Sequence, residues 1–347
     1  MTQRWKQRPP DSNWGEFGPD DQRGRMNYVT PEKVRQGAAE VKEGISFCLS
    51  LPLDYPGGNV LNPRRNPPRL APTLRGGKAN FCYPMANDEP LLTDVVCDDV
   101  VLLTLQYSTQ WDSFAHVGSK FDADGDGKPE LVFYNGFRAG EEIKLAPEKP
   151  GAEPWAKYEG ARAEALGIQN LAEHGAQGRG VMVDLHAHFG RERKAIGYDA
   201  LMRVMEKDKV AVEKGDFVCF YTGFVDVILE LKKNPDPKLI HNTCTGLDGR
   251  DDKLLQWITD SGCAALIADN YAVEIIPASP FKPFAHALMP LHEHCLFKNG
   301  IHLGEIWYLS ELARWLREHR RNRFLLTAPP LRLPGAVGSP AVAVATV

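Results

Sequence analysis

The sequence predicts a single mixed α/β domain, and three observations lead there. Short β-branched and aliphatic runs, such as Val181-Met182-Val183 and Phe217-Val218-Cys219-Phe220-Tyr221, have the length of fully buried strands. Segments with helix-start signals lie between such runs in irregular alternation. Neither a fixed-period repeat nor a clear linker divides the 347 residues, a length that can bury one substantial core.

The elements follow in chain order. Residues 1–28 are polar and rich in Gly and Asp, and are expected to wrap the surface or a partner subunit. Thr30 is an N-cap, with Pro31 at the first helical position, Glu32 in the first turn and Gly44 as the expected stop. Ile45 to Leu53 reads as a strand. Pro56 to Arg75 is a long loop dense in Pro, Gly and Arg, of the kind that carries function. Val100 to about Gln106 reads as a strand and Phe121 to Leu131 as turns. Tyr158 to Glu173 reads as a helix, and Gly180–Leu185, Asp216–Thr222 and Ala264–Ala268 as buried strands. Glu293 to Lys298, or a somewhat longer span, and Ser310 to His319 read as helices, with Ser310 as the N-cap of the second. The tail from Pro329 to Val347 is expected to be extended.

Composition narrows the function classes. The hydrophobic fraction of 43% and charged fraction of 25% are ordinary for a globular chain. A net charge of -4, with no basic stripe interleaved with aromatics, points away from nucleic acid. Arg314, Arg317, Arg320, Arg321 and Arg323 cluster on what reads as a solvated C-terminal helix. The 7 cysteines form no C-x-x-C pair, so free thiols in a reducing compartment are expected. Met1 to Lys6 lacks an apolar core, and no apolar run approaches about 18 residues. A cytoplasmic enzyme without membrane contact is the expectation.

The chemistry concentrates between Leu105 and His116. In an extended strand, Gln106, Gln110 and Asp112 leave the same face, and His116 can return to it through a turn. A carboxylate, an imidazole and two amide oxygens can together hold a divalent ion. The same residues also suit a polar strand end with Asp112 capping the next turn. His292-Glu293-His294 and Glu305 form a second cluster, which by itself reads rather as two surface histidines on an amphipathic helix.

Asp184-Leu185-His186-Ala187-His188 is a rival site, since Asp-x-His-x-His closes the first strand of TIM-barrel amidohydrolases. Its mid-chain position leaves no room for eight βα units. Asp122-Ala123-Asp124-Gly125-Asp126-Gly127 begins like a calcium loop, but loop position 12 is Phe133 where a bidentate Glu is needed, and Pro129 interrupts it. A tight acidic turn is the expected form. The chain has no G-x-S-x-G elbow, Walker loop or Rossmann fingerprint in a suitable context.

Together these stretches resemble the cyclase family that includes kynurenine formamidases, isatin hydrolases and trans-dienelactone hydrolase. The family signature is His-x-Gly-Thr-His-x-Asp-x-Pro-x-His. Against it, residues 106–116 match at Thr109, Asp112 and His116. Both leading histidines are Gln106 and Gln110, and the Gly and Pro are Ser108 and Phe114. The resemblance continues through Phe133–Gly136, Arg179–Asp184, Gly215–Gly223, Ala268–Glu274 and Pro290–Glu305. It reaches Asp21–Gly24 and Pro329–Pro334 at the two ends, placing the chain in the larger branch of the family.

The resemblance implies a metal-dependent hydrolase on a swivelling β/β/α scaffold, one domain over residues 1–347, assembled as a dimer or tetramer. It implies Asp112, His292 and Glu305 as ligands of a divalent ion (Zn2+ or Mn2+), with His294 as the alternative histidine. Gln106 and Gln110 stand at ligand positions. An amide oxygen is a weaker ligand than imidazole, which favours a harder ion such as manganese. His116 falls where the family has a proton-shuttling histidine. The expected reaction is hydrolysis of a small cyclic or aryl-linked amide or ester, such as a lactone, lactam or formamide. Trp111, Phe114 and Tyr134 are candidates for an apolar wall against the substrate ring, or for ordinary core packing. The competing expectation is a catalytically silent small-molecule-binding protein of the same fold.

Overall fold

The computed structural model describes residues 3–145, 149, 160–278 and 281–347. Nine strands build one mixed sheet: β1 (Ser46–Cys48), β2 (Gln110–Asp112), β3 (Gln177–Asp184), β4 (Phe217–Tyr221), β5 (Ala265–Ala268), β6 (His302–Glu305), β7 (Arg323–Thr327), β8 (Gly338–Pro340) and β9 (Val344–Thr346). Their order is β1-β9-β7-β3-β4-β5-β6-β2-β8. The central β3, β4, β5 and β6 run parallel, and every other pairing is antiparallel.

The central strands are apolar on both faces because both faces are covered. Val181, Val183, Val218, Phe220, Leu266 and Leu303 join one core, under α2 (Tyr198–Lys207) and α3 (Asp252–Ser261). Met182, Phe217, Cys219 and Ile267 point the other way, into a second core that α4 (Ser310–Glu318) closes with Leu312, Ala313 and Leu316. This sheet, with four parallel strands at its centre, is not the eight-stranded barrel that Asp-x-His-x-His would require.

Helix α1 (Pro31–Ala38) begins as expected, with Thr30 Oγ1 accepting the Lys33 amide at 3.3 Å, but it stops six residues short of Gly44. It lies directly on β3, where a Cβ built at Gly37 would approach the Gly178 carbonyl carbon to 2.7 Å. A buried ion pair fixes the same corner. Arg179 grips Asp216 through two bonds of 2.9 and 2.8 Å, and Lys33 reaches the same carboxylate at 3.1 Å. Gly37→Ala is expected to destabilise the protein by about 1–3 kcal/mol, because overpacking against backbone outweighs the gain in helix propensity. A urea denaturation series checks this, and an unchanged midpoint would mean that α1 can lift off the strand.

Several expected boundaries moved. Val100 to Gln106 is not one strand of the sheet. Asp99–Leu102 pairs with Arg69–Pro72 in a two-stranded ribbon whose apolar residues are exposed, and the chain turns at Leu105 before β2 begins at Gln110. An aliphatic run has the same pattern in either setting. The helix expected over Tyr158–Glu173 shrinks to Gln169–His174, with Arg162–Ala163 pairing to Ile143–Lys144 before it; Tyr158 and Glu159 fall outside the described residues. α4 starts one residue earlier than expected, at Ser310, with Leu309 in the cap position. The extended tail completes the sheet as β8 and β9. The N-terminal segment wraps the surface but is anchored: Trp14 is buried against Phe297, and its indole donates to the Phe297 carbonyl at 2.8 Å. Among the described residues, no helix is long and apolar enough to cross a membrane.

Candidate metal centre

The site forms where β2 and β6 run antiparallel. Their register sets Gln110 opposite Glu305, and Asp112, two residues on, leaves the same face. The third group, His292, arrives on a short helix (Pro290–His292) that continues into a π-turn over Glu293–Lys298. Widened turns of this kind recur at functional sites. One ligand atom from each of Asp112, His292 and Glu305 lies within 4.8 Å of the others, and all three residues are buried.

Glu274 holds the histidine in place. Its carboxylate accepts the Leu291 amide at 3.1 Å, the His292 amide at 3.0 Å and His292 Nδ1 at 2.8 Å. The first N–H groups of the short helix are thereby satisfied and the imidazole orientation fixed. Nε2 then faces Glu305 Oε1 at 3.1 Å.

The electrostatics describe a centre short of positive charge. Burial pushes the Asp112 carboxyl above its usual range, and the Glu305 charge adds to this against the opposing pull of His116 and His292. Burial alone would raise Glu305 too, but the His292 hydrogen bond and charge hold it below normal. His292, which burial would depress, is lifted to about 10 by Glu274 and Glu305. Asp112 Oδ2 is buried without a hydrogen-bond partner. Such an orphaned carboxylate oxygen is costly unless something cationic meets it. Two carboxylates and an imidazole form a donor set for a divalent ion, so the residues fit one.

The two glutamines differ in placement. Gln110 sits between the carboxylates, its Nε2 donating to Asp112 Oδ1 and to Glu305 Oε2, both at 3.2 Å. Its oxygen faces Arg65 Nη1 at 3.4 Å, so a ligand role requires the amide to turn over. Gln106 lies in the turn before β2, where its carbonyl accepts from Arg65 Nη1 at 2.7 Å and its side chain lines the adjoining cavity.

That cavity, about 720 Å³, is reached by His292, Glu305 and His116. His116 keeps some exposure, and its Nε2 is 3.9 Å from Asp112 Oδ1. The apolar wall falls elsewhere than expected. Trp111 packs on Trp307 and donates to the Ala328 carbonyl, while Phe114 stacks on His302 and packs against Tyr134; all three are core residues. The cavity's apolar surface comes instead from Leu61, Tyr271, Ile276, Leu288 and Met289.

The remaining candidates lie apart. His294 turns away to Thr259 Oγ1 at 2.9 Å, and burial, with Lys298 and Arg25 nearby, presses it down to about 3; the histidine at the centre is His292. His186 meets the Gly190 carbonyl, and His188 pairs with Asp208 beside a second cavity of about 700 Å³. Asp122 accepts from the amides of Gly125, Asp126 and Gly127 in a tight turn, where one carboxylate oxygen each of Asp122, Asp124 and Asp126 lies within 4.8 Å of the others.

Glu274 was not legible as part of the site, since only the fold brings its three N–H contacts together. Glu274→Gln, which preserves volume, is expected to lower metal affinity about 10–100-fold. Titration against a chromophoric chelator checks this; unchanged affinity would show that the loop alone holds His292.

The fold and donor set define an α/β protein with a carboxylate-rich cluster able to hold a divalent ion, beside a cavity sized for a small molecule. The Cyclase family model, described as "Putative cyclase", matches residues 49–275. A crystal structure described as a novel cyclase is 30% identical and superposes with a TM-score of 0.72; the match covers 97% of this chain and 99% of that one. The chain belongs to the cyclase family. Isatin hydrolase A from Ralstonia solanacearum shares the fold at 13% identity and a TM-score of 0.54, over 91% of this chain and 98% of that one. Isatin hydrolase A from Labrenzia aggregata does so at 12% and 0.53, over 90% and 97%. A search of curated proteins returned no match.

Proposed function

We propose that the protein is a metal-dependent hydrolase of small cyclic or aryl-linked amides or esters, such as lactones, lactams or formamides. The observation that carries this reading is the buried Asp112, with Oδ2 unpartnered and its carboxylate clustered with His292 and Glu305, beside a cavity sized for a small molecule. A divalent ion, zinc or manganese, would lower the pKa of water there and polarise the scissile carbonyl. Asp112, His292 and Glu305 would hold it. His116, on the cavity wall, takes the proton from the attacking water and returns it to the leaving nitrogen or oxygen. Arg65 and Arg193 line the same cavity and supply the cationic groups that suit a carbonyl oxygen or an acid product.

A second reading is favoured by one observation. Gln110 stands at a histidine position and donates its amide to both carboxylates, as in a protein that kept the fold as a silent binder. Elemental analysis of purified protein, followed by assays on isatin, aryl formamides and lactones with added zinc or manganese, separates the two. The name of the isatin hydrolases puts isatin first in that panel. Bound metal with turnover supports the hydrolase. Metal-free protein that neither ion activates supports the silent binder.

A further inference from the structure

Outside the metal centre, the ribbon that begins at Arg69–Pro72 and Asp99–Leu102 extends into a hairpin whose register sets Tyr83 opposite Val96. One step further along it, Cys82 and Cys97 face each other with their sulfurs 3.8 Å apart, and both are exposed. The pair is held from both sides. Asn80 Nδ2 binds Asp98 Oδ2 at 2.6 Å, the Asp98 amide donates to the Asn80 carbonyl at 2.8 Å, and Tyr83 and Val96 close the other end. The 3.8 Å contact puts the two exposed sulfurs within reach of the roughly 2.05 Å disulfide bond by side-chain rotation.

We propose that Cys82 and Cys97 form a reversible two-thiol modification site, oxidised to an intramolecular disulfide by a hydroperoxide. Cys97 is the attacking sulfur. The Cys82 amide donates to it at 3.0 Å and holds it beside its partner sulfur. The Cys97 thiolate attacks the terminal peroxide oxygen. The O–O bond breaks, the alkoxide leaves and takes up a proton, and Cys97 becomes a sulfenic acid. The Cys82 sulfur then displaces hydroxide, which departs as water with the second thiol proton, and the S–S bond forms. In total, two thiols lose two protons and two electrons, and the peroxide takes up both to become an alcohol and water.

The other five cysteines provide the contrast. Cys219, Cys244, Cys263 and Cys295 are buried, and burial pushes their thiols up, to about 12 for Cys244. Cys48 is exposed, and its only described hydrogen bond is to the Ser50 carbonyl. It can oxidise but has no adjacent sulfur with which to resolve.

The test uses the full chain, reduced and then treated with one equivalent of hydrogen peroxide. Intact mass is expected to fall by two hydrogens, and the denatured thiol count to drop by two from 7. A non-reducing peptide map should link Cys82 to Cys97, and dithiothreitol should reverse the change. Cys82→Ser should lose the link and leave Cys97 trapped as a sulfenic acid that dimedone captures, whereas Cys48→Ser should retain it. Both variants alter exposed side chains, so folding is not at stake. A mass that only rises in oxygen steps, or a link that joins two chains through Cys48, would overturn the site.

Discussion

Asp112→Asn is expected to leave the protein folded, without its divalent ion and without turnover. The substitution keeps shape and volume at a buried position and removes one oxygen charge from the centre. Outer-shell partners of a metal typically contribute about 10–100-fold to affinity, and loss of a direct carboxylate should exceed that. The structure also sets the sign of the stability change. Burial and the neighbouring Glu305 both oppose ionisation of Asp112, so removing the charge relieves the metal-free state. Metal-free Asp112→Asn should therefore be at least as stable as the metal-free parent. The parent should gain stability on adding the ion, and the variant should not. Elemental analysis and thermal melts with and without zinc or manganese read this directly. Full occupancy in the variant would remove Asp112 from the centre.

The shared face of Gln110 and Asp112 could be read from the sequence because strand geometry is local, though Gln106 falls in the turn before the strand. Gln110 and Asp112 share a face through a period of two, and that periodicity survived even though the strand proved to be three residues long. The approach of His292 and Glu305 was legible only through the family resemblance, since the twelve intervening residues can fold back in many ways. Choosing His292 over His294 needed the fold, because Thr259 and Glu274, which orient the two imidazoles differently, are distant in sequence.

What could not be read depended on which side of an element was buried. Val100, Val101 and Leu102 are as aliphatic as any central strand, yet they stand exposed on a ribbon. Trp111 alternates correctly with Gln110 and Asp112, and that alternation is what sends it to the opposite face, onto Trp307 and away from the cavity. A residue between Gln110 and Asp112 on a strand cannot also face the side they share. Phe114 and Tyr134 are claimed by His302 and by each other. The ring-binding surface instead comes from loops, including Leu61 and the segment through Ile276 and Met289, whose positions no periodicity encodes.

His116 separates proton transfer from metal holding. Its imidazole lies on the cavity wall with Nε2 3.9 Å from Asp112 Oδ1, beyond hydrogen-bond length but near the carboxylate that would bear the ion. If it moves the proton, His116→Ala should retain the metal content of the parent while kcat falls by about 10²–10⁴-fold, the usual contribution of a positioned acid–base group. KM should change little, because the group acts as charge develops and not on the resting substrate. Removing the ring opens space beside a solvent-reached cavity, so free imidazole should restore part of the lost rate. If His116 were chiefly a ligand, metal occupancy would fall with activity, and imidazole would restore both or neither. A variant that keeps its metal and full turnover would assign the proton to another group and leave His116 as a wall of the cavity.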